Sequence, residues 1–241
     1  MGNYYNEIDP YAAQWLRNLI DAGHIPSGDV DTRSIVDVKA EDLKGYTQCH
    51  FFAGIGGWSY ALQLAGWPDT RPVWTGSCPC QPFSAAGKQL GTTDDRHLWP
   101  AWFNLIRECS PSVIFGEQVE AAINHGWLDL VQSDLEGEGY AFGAAGIPAA
   151  AVGALHNRPR LWFVADSKRH EQPRQEPCVG PSRRMGRKRQ PIPWDRTWES
   201  ALCSFRAMAN GIQRSVGGAD AARNAIVPQV AESFIGAYLE S

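Results

Sequence analysis

The chain has 241 residues, 44% of them hydrophobic and 20% charged, enough for one good-sized α/β domain with a core of its own. Its most apolar stretch, Ala141 to Leu155, is too short to cross a bilayer and is broken by Gly146, Pro148 and Gly153. The net charge of −4 gives no general affinity for nucleic acid, yet residues 166–196 hold nine Lys/Arg against four Asp/Glu, so an acidic body carries one basic stretch that can meet a polyanion locally.

In chain order, Asn3 to Ile8 reads as a short strand. Asp9 and Pro10 start a helix running to about Ala22, with Ala12, Trp15, Leu16, Leu19 and Ile20 on one face, and Gly23 closes it. Gly28-Asp29-Val30 ends another short strand. Thr47 to Phe52 reads as a buried strand, Gly54 to Gly57 as a turn, Trp58 to Ala65 as a helix and Val73 to Gly76 as a strand. Leu98 to Glu108 has helical periodicity, Ser112 to Phe115 is a β-branched and aromatic strand, and Gly126 to Glu136 is a helix. Tyr140 to Ala144 and Leu161 to Ala165 are strand-like, and Ala225 to Leu239 is an amphipathic helix with Pro228 near its start. Alternating β and α predicts a mostly parallel sheet covered on both faces, with ligands at the carboxyl ends of the strands. Periodicity vanishes from Asp166 to Arg196, where Pro and Arg dominate; the composition fits a loop-rich insert or a partly disordered segment. The expected organisation is a main domain over 1–165, a short basic segment over 166–208 and a return to the main domain over 209–241.

Six cysteines lack the spacing of a disulfide framework or a zinc site, and no charged-then-apolar signal opens the chain. The expectation is a reduced cytoplasmic protein, metal-free and monomeric, with no membrane attachment.

Four blocks carry chemistry. Phe51-Phe52-Ala53-Gly54-Ile55-Gly56-Gly57 is a strand running into close glycines, which suits either a backbone that approaches a ligand or a plain tight turn. Cys78-Pro79-Cys80-Gln81-Pro82 follows a strand, and the two prolines stiffen the loop around Cys80 into a mount for a nucleophile; a structural cysteine or half a metal site is the bland rival. Glu117 follows a strand as either a solvated turn residue or an acid facing the crevice of Cys80. Arg158 and Arg160 stand two apart, so in extended chain they share a face and suit a phosphate or a base edge, or form a surface basic turn.

Together these blocks resemble the DNA (cytosine-5)-methyltransferases. The glycine block looks like the first motif for S-adenosylmethionine (SAM), Pro79-Cys80-Gln81 like the nucleophile motif and Glu117-Gln118-Val119 like Glu-Asn-Val. Arg158-Pro159-Arg160 resembles Arg-x-Arg, and Asn224-Ala225-Ile226-Val227-Pro228 resembles the last motif. The resemblance implies a Rossmann-like SAM-dependent fold with a small irregular recognition lobe. It departs from the family's pattern at Gln118, at Arg223 and in its short recognition region. It departs also in order: Asn6-Glu7-Ile8-Asp9 and Gly28-Asp29-Val30 look like the second and third SAM motifs but precede the glycine block, as a circular permutation would place them.

What the resemblance implies is attack of Cys80 on C6 of a flipped-out cytosine in duplex DNA, with Glu117 at N3 and the exocyclic amine, Arg160 at O2 and Arg158 supporting its loop. SAM would lie over Gly54, Gly56 and Gly57 with Phe52, Ala53 and Pro79 beside it. Glu7 and Ile8 would meet the ribose and Asp29 the adenine, while Asn224 and Ala225 would close the methionine end. Gln81, Ser84 and Arg96 are candidates to close over DNA. Arg183, Arg184, Arg187, Lys188 and Arg189 suit phosphates, or form a solvated linker. A tRNA cytosine-5 methyltransferase and a catalytically silent DNA-binding relic are the rival readings.

Overall fold

The computed structural model describes residues 2–79, 98–167 and 225–240. Its strands are β1 (Asn3–Asn6), β2 (Gly28–Asp31), β3 (Gln48–Phe51), β4 (Val73–Gly76), β5 (Val113–Val119), β6 (Ala141–Gly146) and β7 (Arg160–Asp166). Its helices are α1 (Pro10–Asp21), α2 (Gly57–Leu64), α3 (Trp99–Cys109), α4 (Trp127–Gly137) and α5 (Pro228–Leu239). The strands form one sheet in the order β2-β1-β3-β4-β5-β7-β6. The first five run parallel, and β7 is antiparallel to both β5 and β6. This is the mostly parallel α/β sheet that the alternation predicts and the Rossmann-like fold that the resemblance implies.

Alternation along each strand sorts side chains between two cores. Cys49, Phe51, Trp74, Ile114, Leu161 and Phe163 face α3 and α4, where Trp99, Trp102 and Trp127 fill the space. Val73, Val113, Phe115 and Trp162 face the other side and meet Trp58, Ala61 and Leu62 of α2 and Val230, Ala231 and Ile235 of α5. Tyr5 packs with Leu16 of α1 and Ile25 in a smaller cluster. α1 starts where it does because Asp9 accepts from the Ala12 amide at 2.8 Å while Pro10 fills the first helical position.

Among the boundaries that differ from the sequence reading, three have consequences for the site. β1 stops at Asn6, so Glu7 and Ile8 lie beyond the strand end. β5 runs on through Val119, because β7 pairs with it in antiparallel register from Val113↔Asp166 to Val119↔Arg160. Glu117 therefore sits within a strand, opposite Trp162, and one residue past the last β4 pairing at Gly76↔Gly116. The last helix begins at Pro228, leaving Ala225 to Val227 as an extended lead-in.

Candidate active site

The parallel strands deliver their carboxyl ends to one edge of the sheet, and the described sequence-predicted residues other than Asp29 lie towards it. On the β3 side the chain leaves the strand through Phe52, at φ 51°, an uncommon left-handed conformation for a bulky residue. The Phe52 ring lies edge-on to Trp102, their centroids 6.2 Å apart. Gly54 (φ 55°) and Gly56 (φ 83°) complete a turn that Cβ-bearing residues adopt only with strain. A side chain at Gly54 would meet nothing within 4 Å, so open space lies over the turn. Gly57 is small for another reason: a Cβ there would stand 2.6 Å from Cγ1 of Ile226. The glycine turn and the lead-in to α5 are thereby packed together.

Glu7 reaches across to this turn. Its Oε2 accepts from the Gly54 amide at 2.7 Å and its Oε1 from the Asp9 amide at 2.9 Å. Burial pushes its pKa above the ordinary carboxylate value, and the two amides oppose that rise. Ile8 beside it is an exposed apolar residue, 63% accessible. Asp29 sits in register with Tyr4, mid-strand, and its carboxylate accepts from Tyr46 Oη at 2.6 Å. The acid at the carboxyl end of β2 is Asp31, which accepts from Tyr4 Oη at 2.7 Å and forms an ion pair with Arg33. Nothing in the sequence pattern separates Asp29 from Asp31; strand register does.

On the β5 side Glu117 is buried, and its Oε1 meets Arg160 Nε at 2.8 Å. Burial raises its pKa; Arg160 and Arg158 oppose the rise, as do hydrogen bonds from Ser77 and Arg160. Arg158 does not share an extended face with Arg160. It turns the chain at φ 38° and donates from Nη2 to the Ala225 carbonyl at 2.6 Å. One arginine thus serves the carboxylate and the other ties down the lead-in to α5. Burial lowers the pKa of Arg158.

Between the two sides runs the end of β4. Cys78 is buried and its thiol pKa is pushed up by desolvation, so it is an inert packing residue, while Pro79 is exposed. Gln118 Nε2 donates to the Cys78 carbonyl at 3.5 Å and its Oε1 accepts from the Val119 amide at 2.9 Å, so Gln118 holds the backbone that leads to Cys80. Ser77 accepts from Trp58 Nε1 at 3.1 Å. Sequence reasoning passed over Ser77, Trp58 and Asp31; a polar residue at the end of a strand or just past it is the signal that could have marked the first and third.

Cys80, Gln81, Ser84, Arg96, Arg183, Arg184, Arg187, Lys188, Arg189 and Asn224 lie outside the described residues, as does the expected recognition segment from residue 168 onward. Among the described residues no group of His, Cys, Asp and Glu could hold a metal ion, and no helix is long and apolar enough to cross a membrane.

The family model for C-5 cytosine-specific DNA methylases matches residues 68–193, just over half of the chain and including the end of β4, β5 and the Arg158-Pro159-Arg160 block. The chain belongs to this family. It is 36% identical over 100 residues to the type II methyltransferase M.NgoMIV of Neisseria gonorrhoeae, across 40% of this chain and 32% of that relative. It is 25% identical over 170 residues to the type II methyltransferase M.HhaI of Haemophilus parahaemolyticus, across 54% of this chain and 52% of the relative. The chain therefore spans about a third to a half of the length of these relatives. Among solved structures, the Entamoeba histolytica methyltransferase EhMeth superposes with a TM-score of 0.47 at 14% identity, over 68% of this chain and 44% of that one.

Proposed function

We propose that the chain methylates C5 of cytosine in duplex DNA, using SAM as donor, a covalent Cys80 adduct and an everted target base. The observation that carries this reading is the buried Glu117–Arg160 pair at 2.8 Å, held at the carboxyl edge of the sheet beside the strand that leads into Pro79-Cys80. A buried acid kept in place by arginine, and inclined to bind a proton, suits the N3 edge of a pyrimidine. The Cys80 thiolate would bond to C6, and Glu117 would neutralise charge at N3 as electrons reach C5. After methylation the C5 proton leaves, the sulfur–C6 bond breaks and the thiolate is restored. Arg160 would face O2 of the base. The target must leave the duplex stack, since C6 is out of reach inside it.

SAM supplies the electrophilic sulfonium methyl. The residues fit it: open space above Gly54, the N-terminus of α2 and the Glu7 carboxylate meet at one turn, with the exposed apolar Ile8 next to Glu7 in the chain. Phe52, Ala53, Gly54, Gly56, Gly57 and Pro79 would line the cofactor, with Glu7 at the ribose and Asn224-Ala225 closing the far end. Asp29 is kept as the adenine contact, with Asp31 nearer the strand end. Gln81, Ser84, Arg96 and the basic residues Arg183, Arg184, Arg187, Lys188 and Arg189 would hold DNA phosphates, with residues 166–208 as the recognition segment. We read the motif order as circularly permuted. The support is spatial: β1 and β2 pair beside the glycine-bearing β3, although they precede it in the chain.

The test is covalent trapping on duplex DNA containing 5-fluorocytosine in the presence of SAM. The wild-type chain is expected to form a denaturation-resistant adduct and Cys80→Ser none. Absence of an adduct on DNA, with or without one on tRNA, overturns the proposal.

A further inference from the structure

We propose that Arg158 is a positioning residue for the cofactor half of the crevice, holding Ala225 and Ile226 against the glycine turn where SAM would sit. Arg158 belongs to the block that carries Arg160, and in extended chain the two side chains would share a face. They part because Arg158 stands at φ 38°. A left-handed backbone is costly for a residue with a long side chain and persists only where its surroundings fix it. Here the Arg158 carbonyl accepts from the Ala149 amide at 3.3 Å and the Arg160 carbonyl from the Ile147 amide at 2.9 Å, which pins the chain on both sides of Pro159. Arg160 then meets Glu117 at 2.8 Å, while Arg158 Nη2 donates to the Ala225 carbonyl at 2.6 Å.

That bond joins residues 67 positions apart and ends beside the glycine turn. Next to Ala225, the Ile226 side chain fills the place that Gly57 leaves open: a Cβ on Gly57 would stand 2.6 Å from Ile226 Cγ1. Gly57 opens α2 directly after the left-handed Gly56. The lead-in to α5 is therefore held by a guanidinium on one side and by the start of α2 on the other. A guanidinium donating to a carbonyl makes a charge-assisted bond, stronger than a neutral one. Cutting it frees residues 225 and 226 to leave the turn, while the Glu117–Arg160 pair is made separately and stays.

The meaning of this anchor rests on the SAM site proposed above, and the experiment separates the two. SAM affinity is measured by calorimetry on the full chain without DNA, and duplex DNA affinity is measured without SAM. Arg158→Asn removes the guanidinium and leaves a residue that tolerates left-handed backbone. It is expected to weaken SAM binding about tenfold, the worth of one charge-assisted hydrogen bond, and to change DNA affinity by less than about twofold. SAM carries a net positive charge, so loss of a nearby cation would by charge alone tighten its binding; weakening reports the lost anchor. Arg158→Lys keeps a donor without the fork, and is expected to bind SAM about threefold more weakly than the wild type. SAM affinity unmoved in Arg158→Asn, or in Arg158→Lys where only that variant folds, overturns the inference, as does Arg158→Lys binding no tighter than Arg158→Asn. A loss of DNA affinity as large as the loss of SAM affinity also overturns it, since Arg158 would then be a phosphate or base contact. If SAM affinity falls as expected but the wild type traps no 5-fluorocytosine DNA, the anchor stands and the proposed methylation falls. If trapping succeeds and SAM affinity ignores residue 158, the methylation stands and the anchor falls.

Discussion

The two ends of the crevice each hold a carboxylate that burial makes reluctant to ionise, yet they compensate it differently. Glu117 is answered by arginines, at 2.8 Å from Arg160 Nε with Arg158 nearby. Glu7 is answered by the backbone amides of Gly54 and Asp9. An amide can be exchanged for a ligand hydroxyl without stranding a charge, whereas an arginine cannot be withdrawn without leaving one. The first end is built to persist through a reaction; the second is built to yield to a guest.

The sharpest way to break this contrast is at Glu117. Glu117→Gln keeps the shape and removes the proton, and is expected to lower methyl transfer by about 10²- to 10⁴-fold while leaving SAM binding by calorimetry unchanged. Next is Arg160→Ala. It removes the main counter-charge of a buried acid and is expected to destabilise the chain by roughly 3 kcal/mol at pH 8 in urea unfolding. The loss should shrink at pH 5, where Glu117, its pKa already raised by burial, takes up a proton instead; adding Glu117→Gln should recover most of it at pH 8.

A third probe lies in the strand beneath the glycine end. His50 is fully buried, stacked on Tyr5 and bonded through Nδ1 to Thr75 Oγ1 at 2.8 Å, and burial pulls its pKa down to about 3. The unfolded chain therefore binds a proton below about pH 6.5 that the folded chain refuses. Stability is full above that pH and falls as the pH drops towards 3, by up to about 1.4 kcal/mol per unit. Glu7 and Glu117, with raised folded values, act with the opposite sign. The His50 contribution is thus the difference in slope between the wild type and His50→Gln. The smallest effect is expected at the yielding end: Glu7→Gln should weaken SAM binding about tenfold, with only about 1 kcal/mol change in stability, because one of the two amides keeps its acceptor and the carboxylate that burial opposes is gone.

Much of this was legible in the sequence. The helices and strands follow hydrophobic spacing, and α1 is marked by Asp9-Pro10 at one end and Gly23 at the other. Glu117 and Arg160 stand out from their sequence blocks alone, and the fold brings them into contact at 2.8 Å. What escaped the sequence is set by pairing between distant segments. β5 continues through Gly116-Glu117-Gln118 because β7 supplies a partner, although these residues interrupt the apolar run. Arg158 parts from Arg160 because of one left-handed residue. Ser77 accepts a hydrogen bond from an indole 19 positions away, and Asp29 and Asp31 are told apart only by register with β1.

The contacts of the lead-in to α5 carry a consequence for biosynthesis. Ile226 fills the space that Gly57 leaves empty, and the Ala225 carbonyl takes the Arg158 guanidinium. Both partners emerge from the ribosome long before residues 225 and 226 do. A nascent chain halted ahead of that point would have its sheet in place but neither seam closed, so competence arrives late in translation and all at once.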